Sequence, residues 1–111
     1  MQTILEKPRF TVVKPQNSIT AADAYVFERQ LTRALKETSQ FALLVDLEQV
    51  EFVDTAGLMA LITSCKLAQN LGIRFSICSI SPSLRIIMEL TQLDNVFEIF
   101  ESHTQYTQML E

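Results

Sequence analysis

Hydrophobic positions near the start of the chain have the short spacing of β-strands. Two apolar segments, residues 3–6 and 10–14, are separated by Lys7-Pro8-Arg9 and closed by Pro15. Proline interrupts strands and is typical of their edges and ends. These segments therefore predict two short strands that form a hairpin or an edge pair.

The next segment has the spacing of an amphipathic helix. Thr20 stands where a capping residue is preferred, and Asp23 follows three residues later, at the positive end of the predicted helix. Its apolar positions share one face: Ala24, Phe27, Leu31, Ala34 and Leu35. We expect this helix to lie on a sheet with that face inward.

Three further segments continue the alternation of strand and helix. Residues 41–45 are continuously apolar and end at Asp46, which is typical of a strand buried on both faces of a parallel sheet. Helical spacing then runs from Leu58 to Gly72, where a glycine favours the end of a helix. Residues 73–77 alternate strictly and predict another strand.

The last third of the chain predicts a helix, a strand and a final helix. Ser81 followed by Pro82 is a helix-start signature, and the helix is expected to continue to about Thr91 or Leu93. Residues 96–100 predict a short strand, and residues 104–110 predict a terminal helical turn or two. The whole chain, residues 1–111, thus predicts one α/β domain with a mixed sheet of four to five strands flanked by about four helices.

Composition and charge narrow the class of protein. The net charge of −4 is spread along the chain, and the basic residues form no stripe, which argues against binding to nucleic acid. No stretch approaches the roughly 20 apolar residues of a membrane span, and the N-terminus lacks the pattern of a signal peptide. We expect a cytoplasmic protein without membrane insertion. Cys65 and Cys78 lie in apolar periodic segments, so we expect two free, buried thiols.

Asp54-Thr55-Ala56-Gly57 is the segment most able to carry chemistry. It places a hydroxyl at the start of a predicted helix, where unpaired N–H groups and the helix dipole favour negative charge. A phosphate on Thr55 could be stabilised there, while Asp54 orients the hydroxyl or helps to hold a kinase's metal. Ala56 and Gly57 leave the approach uncrowded. The alternative is that this segment is an ordinary helix cap.

The third predicted helix carries two apolar stripes. One contains Leu84, Ile87, Met88 and Thr91, and the other contains Ile86, Leu90 and Leu93. If the second stripe stays exposed, it forms an interaction surface together with the preceding helix; if both are buried, no such surface exists. The candidate partner-binding residues are Leu58, Met59, Ile86 and Leu90.

Other chemical patterns give little support for catalysis or a cofactor. His103 is the single histidine and lies in a polar terminal segment, so we expect it at the surface, without a nucleophile partner. Acidic residues at strand ends and in turns are usually solvated, and we assign no metal site to those of this chain: Asp46, Glu48, Glu51 and Asp54. Two glycines cannot build a nucleotide-binding loop. We therefore predict no catalytic residue, no metal and no cofactor.

Three segments in matching order resemble the STAS domain. They are residues 43–47, residues 50–58 with the D-[ST]-x-G-L element, and residues 81–99 with S-P-x-x-R and L-D-x-x-F-x-I. The resemblance covers nearly the whole chain and is strongest to anti-sigma factor antagonists. It implies a mixed sheet flanked by helices and no catalytic activity.

The resemblance also implies a partner-switching function. The unmodified domain would bind an anti-sigma factor that is also a GHKL-type kinase, this partner would phosphorylate Thr55, and a phosphatase would reverse the modification. Switching members often have two hydroxyls in this turn, and Ala56 replaces the second one here. Residues 17–20 also depart from a frequent G-x-[LI]-D segment. The alternatives are a small STAS subunit docking on an ABC-transporter ATPase, or a non-phosphorylated signalling scaffold, and a homodimer is left open.

Overall fold

The computed structural model describes residues 2–6, 10–39 and 41–110, with the side chains of residues 2–6 excepted. The described elements alternate as the sequence predicts. The strands are β1 Gln2–Glu6, β2 Thr11–Pro15, β3 Ala42–Asp46, β4 Arg74–Cys78 and β5 Glu98–Phe100. The helices are α1 Ala21–Glu37, α2 Thr55–Leu71, α3 Pro82–Leu90 and α4 His103–Leu110, with a 3-10 turn at Leu93–Asn95.

The five strands form one mixed sheet in the order β1-β2-β3-β4-β5. β1 and β2 are antiparallel, with Ile4 opposite Val13, so the predicted pair is confirmed. The Lys7-Pro8-Arg9 connection lies outside the described residues. The other three pairings are parallel. The loops that follow β2, β3 and β4 therefore meet at one edge of the sheet, which is where ligand and partner sites of such sheets are usually found.

Both faces of β3 are buried because helices cover both sides of the sheet. Leu43 and Val45 belong to the larger core, which contains residues of α1, α2 and α3. Ala42 and Leu44 belong to the smaller core, which is closed by Tyr106 of α4. The Tyr106 ring packs edge-on against Phe10 and Phe100, with centroid distances of 4.9 and 5.1 Å. The apolar run of β3 is continuous because the strand is buried on both faces of the sheet, as the sequence predicted.

Several predicted boundaries change in the structure. Phe41 is exposed and β3 begins at Ala42, because Phe41 precedes the residues that both helical layers cover. The third helix stops at Leu90, since Gln92 adopts a left-handed conformation with φ of 62°. β5 is shorter than predicted and begins at Glu98, whereas α4 begins one residue earlier than predicted, at His103.

Helix ends and thiols agree in part with the predictions. Ser81 caps α3 by accepting the N–H of Leu84 at 3.2 Å, with Pro82 in the first turn, as predicted. The prediction for Thr20 is wrong, because its hydroxyl donates to Asp23 at 3.2 Å instead of capping the helix. Cys65 and Cys78 are free and buried, which confirms that prediction. Within the described part of the chain, no helix is long and apolar enough to span a bilayer.

An ion pair ties β4 to the edge strand β5. Arg74 donates two hydrogen bonds to Glu98, at 2.7 and 2.5 Å, and the buried Ser76 hydroxyl donates to the same carboxylate at 2.5 Å. The hydrogen bonds from Arg74, followed by the one from Ser76, lower the pKa of Glu98 below its ordinary value of 4.5, although burial opposes this shift. The folded state therefore favours the Glu98 carboxylate.

We expect Glu98→Gln to lower the free energy of unfolding modestly at neutral pH, by about 0.2–1 kcal/mol, because the pair is half-exposed. A group with a lowered folded-state pKa stabilises the fold above its ordinary pKa and loses that contribution as the pH falls through the folded-state value. The difference between wild type and variant should therefore shrink as the pH is lowered to about 3. Urea unfolding across this pH range tests it, and a difference that grows on acidification would contradict the assignment.

Candidate functional site

The candidate site is the turn that joins β3 to α2, at the edge where the parallel strands end. Thr55 is the first residue of α2 and is exposed, whereas Asp54 precedes the helix in an extended conformation. Gly57 is buried and Ala56 is half-buried. The hydroxyl of Thr55 is thus presented to solvent, at the end of a 17-residue helix where the dipole is positive.

The Asp54 carboxylate caps two helices at once. Its Oδ1 accepts the N–H of Gly57 at 3.0 Å, inside the first turn of α2. Its Oδ2 accepts the N–H of Ala21 at 2.7 Å, at the first residue of α1. The cap that the sequence assigned to Thr20 is therefore supplied from a residue 33 positions later. Each oxygen thus accepts one helix N–H, and a carboxylate oxygen can accept a second bond, so the predicted role of Asp54 in orienting the Thr55 hydroxyl stays a prediction.

Main-chain hydrogen bonds hold the same two segments together. Ile19 donates to the Phe52 carbonyl at 2.9 Å, and Asp54 donates to the Ile19 carbonyl at 3.1 Å. Ile19 and Val53 form an isolated parallel bridge between these bonds. The loop after β2 and the turn after β3 are consequently one hydrogen-bonded unit, and Thr55 stands at its exposed end.

The start of α3 joins this unit through a single hydroxyl. Ser81 caps its own helix and also donates to the Glu51 carbonyl at 2.9 Å. The start of α3 is thereby tied to the segment that leads into α2. Local pattern predicts a helix start at Thr55, but it could not show that α1 begins at the Asp54 carboxylate or that α3 is tied to Glu51.

The four candidate partner-binding residues divide between surface and core. Met59 is 53% exposed, Ile86 is 56% exposed and Leu90 is 80% exposed. Leu58 is only 9% exposed and packs in the larger core, so its placement on the surface is wrong. The physical reason is the helical period, which turns Leu58 inward with Leu61 and Cys65. The second stripe of α3 is exposed at Ile86 and Leu90, while Leu84 and Met88 are buried.

Asp46 and His103 form a second polar pair that sequence reasoning missed. Asp46 is 3% exposed, and its carboxylate accepts the N–H of Glu48 at 3.0 Å. Nδ1 of the half-buried His103 lies 3.7 Å from the Asp46 carboxylate. The expectation of a solvated Asp46 is therefore wrong, because α4 packs over the end of β3. The His103 side chain keeps 36% of its surface exposed, in agreement with its predicted surface position. No local sequence signal links residues so far apart.

The thiol beside this pair is not a nucleophile. Burial, assisted by the neighbouring Asp46 carboxylate, raises the pKa of Cys78 to about 12, so the thiol stays protonated. Burial also raises the pKa of Cys65. Among the residues that the structure describes, no three His, Cys, Asp or Glu side chains are grouped so as to hold a metal ion. The exposed Thr55 hydroxyl therefore remains the candidate group of this site.

Comparisons with known proteins agree with this architecture. The family model of the STAS domain matches residues 2–105. The TM1081 protein of Thermotoga maritima superposes with a TM-score of 0.89 at 16% identity, covering 97% of this chain and 92% of that one. An anti-sigma factor antagonist from Mycobacterium paratuberculosis gives a TM-score of 0.88 at 22% identity, with 98% and 92% covered. The phosphorylated form of the Bacillus cell fate determinant SpoIIAA gives 0.74 at 10% identity, with both chains fully covered. At these identities the structural likenesses establish the fold.

We expect Gly57→Ala to lower the free energy of unfolding by about 1–3 kcal/mol. A Cβ at this position would lie 2.6 Å from Cγ1 of Val53 and 3.0 Å from the Ile19 carbonyl oxygen, so the hydrogen-bonded unit must open to accept it. Urea unfolding monitored by circular dichroism measures the change.

Gly72→Asn is the control for this substitution. Gly72 has φ of 72°, a conformation that asparagine tolerates, and no neighbouring atom lies within 4 Å of an added Cβ. Gly72→Asn should therefore change the free energy of unfolding by less than about 1 kcal/mol. Val53→Ala alone should also be destabilising, because Val53 is buried in the larger core, but the losses of the two substitutions should be less than additive, since Val53→Ala removes the closest contact. A Gly57→Ala variant as stable as wild type would show that the turn has room to spare.

Proposed function

Because the chain belongs to the STAS domain family, we propose that it is an anti-sigma factor antagonist that acts by partner switching. In this proposal the unmodified protein binds an anti-sigma factor that is also a GHKL-type kinase, and so releases a sigma factor. Phosphorylation of Thr55 by the same partner ends the interaction, and a phosphatase restores it. The protein acts in the cytoplasm as a regulatory binding module and carries out no reaction of its own.

The observation that carries this proposal is the exposed Thr55 hydroxyl on a turn held from several sides. A kinase needs an accessible hydroxyl, and Thr55 is exposed while the residues around it are fixed by hydrogen bonds to Asp54 and Ile19. A phosphate there would face the positive end of α2. The phosphorylated form of SpoIIAA, a protein of the same fold, gives a precedent for modification in such a domain.

The exposed apolar residues on α2 and α3 supply the proposed partner surface. Met59 follows Thr55 by one helical turn, and the Ser81–Glu51 hydrogen bond holds the start of α3 beside the turn. Leu90 and Ile86 continue along the exposed side of α3. Large apolar side chains of this exposure favour contact with a protein partner. We define the partner surface as Met59, Ile86 and Leu90.

Charge explains how modification at Thr55 would control binding. A phosphate adds about −1.5 to −2 charges at neutral pH. Burying that charge in an apolar interface requires removing it from water, which is unfavourable unless the partner supplies cations. A neutral Thr55 carries no such penalty, so the unmodified form is the one that binds.

We expect Thr55→Ala to abolish phosphorylation of the protein recovered from its own cells, as measured by intact mass and peptide mapping. Thr63→Ala is the matched control, since Thr63 is another exposed hydroxyl of α2, and it should leave the modification unchanged. Affinity capture in the same experiment reports the partner. Capture with a GHKL-type kinase and loss of one phosphoryl group in Thr55→Ala support the proposal. An unmodified chain held by an ABC-transporter ATPase would favour the alternative function of a transporter subunit.

We expect Leu90→Ala to weaken binding to the captured partner at least about tenfold, because hot-spot residues combine large apolar area with full burial in the complex. Titration by isothermal calorimetry measures the change. Met109→Ala removes a comparably exposed apolar side chain from α4 and should leave the affinity unchanged. If Leu90→Ala loses no more affinity than Met109→Ala does, the proposed surface on α2 and α3 is not the binding site.

A further inference from the structure

We propose that Asp54 is a positioning residue that couples the charge at Thr55 to the N-terminus of α1, an inference that rests on Thr55 being the modified residue of the proposed function. A modification on α2 would then change a second helix, to which Thr55 does not belong.

The first support for this coupling is the way Asp54 divides its carboxylate. One oxygen holds Gly57 in α2 at 3.0 Å and the other holds Ala21 in α1 at 2.7 Å. The two bonds go to the first turns of different helices, yet they depend on the position of a single charged group. Movement of this carboxylate toward or away from either helix therefore affects both.

The second support is that the main chain of Asp54 holds the residue that leads into α1. Its N–H donates to the Ile19 carbonyl at 3.1 Å, and its side chain holds Ala21 two residues later. Gly57 packs so close to Ile19 that an added Cβ would lie 3.0 Å from its carbonyl oxygen. The entry to α1 thus rests on the turn that presents Thr55, with little space to absorb a shift.

The coupling follows from the competition between two anions for one helix end. A phosphate on Thr55 would be the neighbour of Asp54 in sequence, and both groups are attracted to the N–H donors of the first turn of α2. Two like charges about 4 Å apart repel by about 1 kcal/mol even when they are fully solvated, and more where water is excluded. Repulsion moves the Asp54 carboxylate away from its place at α2, and because its two oxygens are joined in one rigid group, that movement also weakens its bond to Ala21.

Amide hydrogen exchange, followed by NMR on the isolated protein, tests this coupling. We expect the protection factor of the Ala21 amide to fall at least about fivefold in Thr55→Asp relative to wild type. Thr55→Asn has nearly the same shape without the charge and should leave Ala21 protected. The amide of Leu31, in the buried middle of α1, reports global unfolding and should not change. Loss of Ala21 protection in Thr55→Asp but not in Thr55→Asn supports the coupling, and equal protection in both variants overturns it.

Asp54→Asn shows whether the effect passes through this carboxylate. Asparagine has one acceptor oxygen, so it can retain the bond to Gly57 or the bond to Ala21 but not both. In this background, Thr55→Asp should no longer change the protection of Ala21, and an undiminished effect would overturn the role of Asp54. Should Asp54→Asn fail to fold, 1 M NaCl provides the second measurement. This salt concentration shortens the Debye length to about 3 Å, so it should remove most of the effect of Thr55→Asp on Ala21. An effect that does not depend on salt would likewise overturn the coupling.

This experiment uses neither kinase nor partner. A negative result would therefore remove the coupling without affecting the proposed function. Conversely, failure to find a phosphorylated Thr55 in cells would remove the proposed function even if the isolated protein shows the coupling.

Discussion

The hydrogen bonds accepted by the Asp54 carboxylate are the interaction on which the geometry of the candidate site depends. The first turn of any α-helix leaves N–H groups without carbonyl partners, and burying such groups is unfavourable. This domain brings the starts of α1 and α2 together at one edge and satisfies a donor from each with one side chain. That solution requires the loop after β2 and the turn after β3 to touch, and the bonds of Ile19 show that they do. The exposed hydroxyl of Thr55 is a product of the same geometry, because the residue after a shared cap must begin the helix.

The sheet makes this arrangement possible by placing three loops at one end. β2, β3 and β4 run parallel, so the chain leaves each of them at the same edge and returns through a helix on the larger-core side. The smaller core on the other face is closed by α4, with Tyr106 packed between Phe10 and Phe100. α4 also covers the end of β3 and brings His103 near the buried Asp46. The two faces of the sheet therefore have different roles. The helices on one face form the candidate site, and the short helix α4 closes the core on the other face.

The fold could be predicted largely from the sequence, because hydrophobic period is a local property that the final structure preserves. The apolar face of α1 is buried as predicted, and the continuous run in β3 has a helical layer on each side. What failed depends on contacts between distant residues. Thr20 has the chemistry of a cap, but a carboxylate from another loop takes that place. Asp46 stands at a strand end where acids are usually solvated, and only the packing of α4 buries it near His103.

The candidate site shows the same limit on a smaller scale. Local pattern placed Thr55 at a helix start and identified the second stripe of α3. The structure shows that this stripe is exposed at Ile86 and Leu90, and its role in binding stays a prediction. Leu58 was predicted as a partner-binding residue beside the motif, although the helical period of α2 directs it into the core. Adjacency in sequence is a poor guide to exposure on a helix, since neighbouring positions are about 100° apart.

Ala56 stands where switching members often have a second hydroxyl. The exposure of positions 55 and 56 indicates what this replacement means for the proposed function. Thr55 is exposed whereas Ala56 is half-buried, so position 55 is the more accessible of the two. A hydroxyl at position 56 would also lie among the N–H donors of the first turn, where it would compete with Asp54 for them. Alanine avoids that competition and favours helix formation. The turn therefore has one exposed hydroxyl, that of Thr55, beside an Asp54 carboxylate that holds both helices, and the proposed switch needs no second hydroxyl.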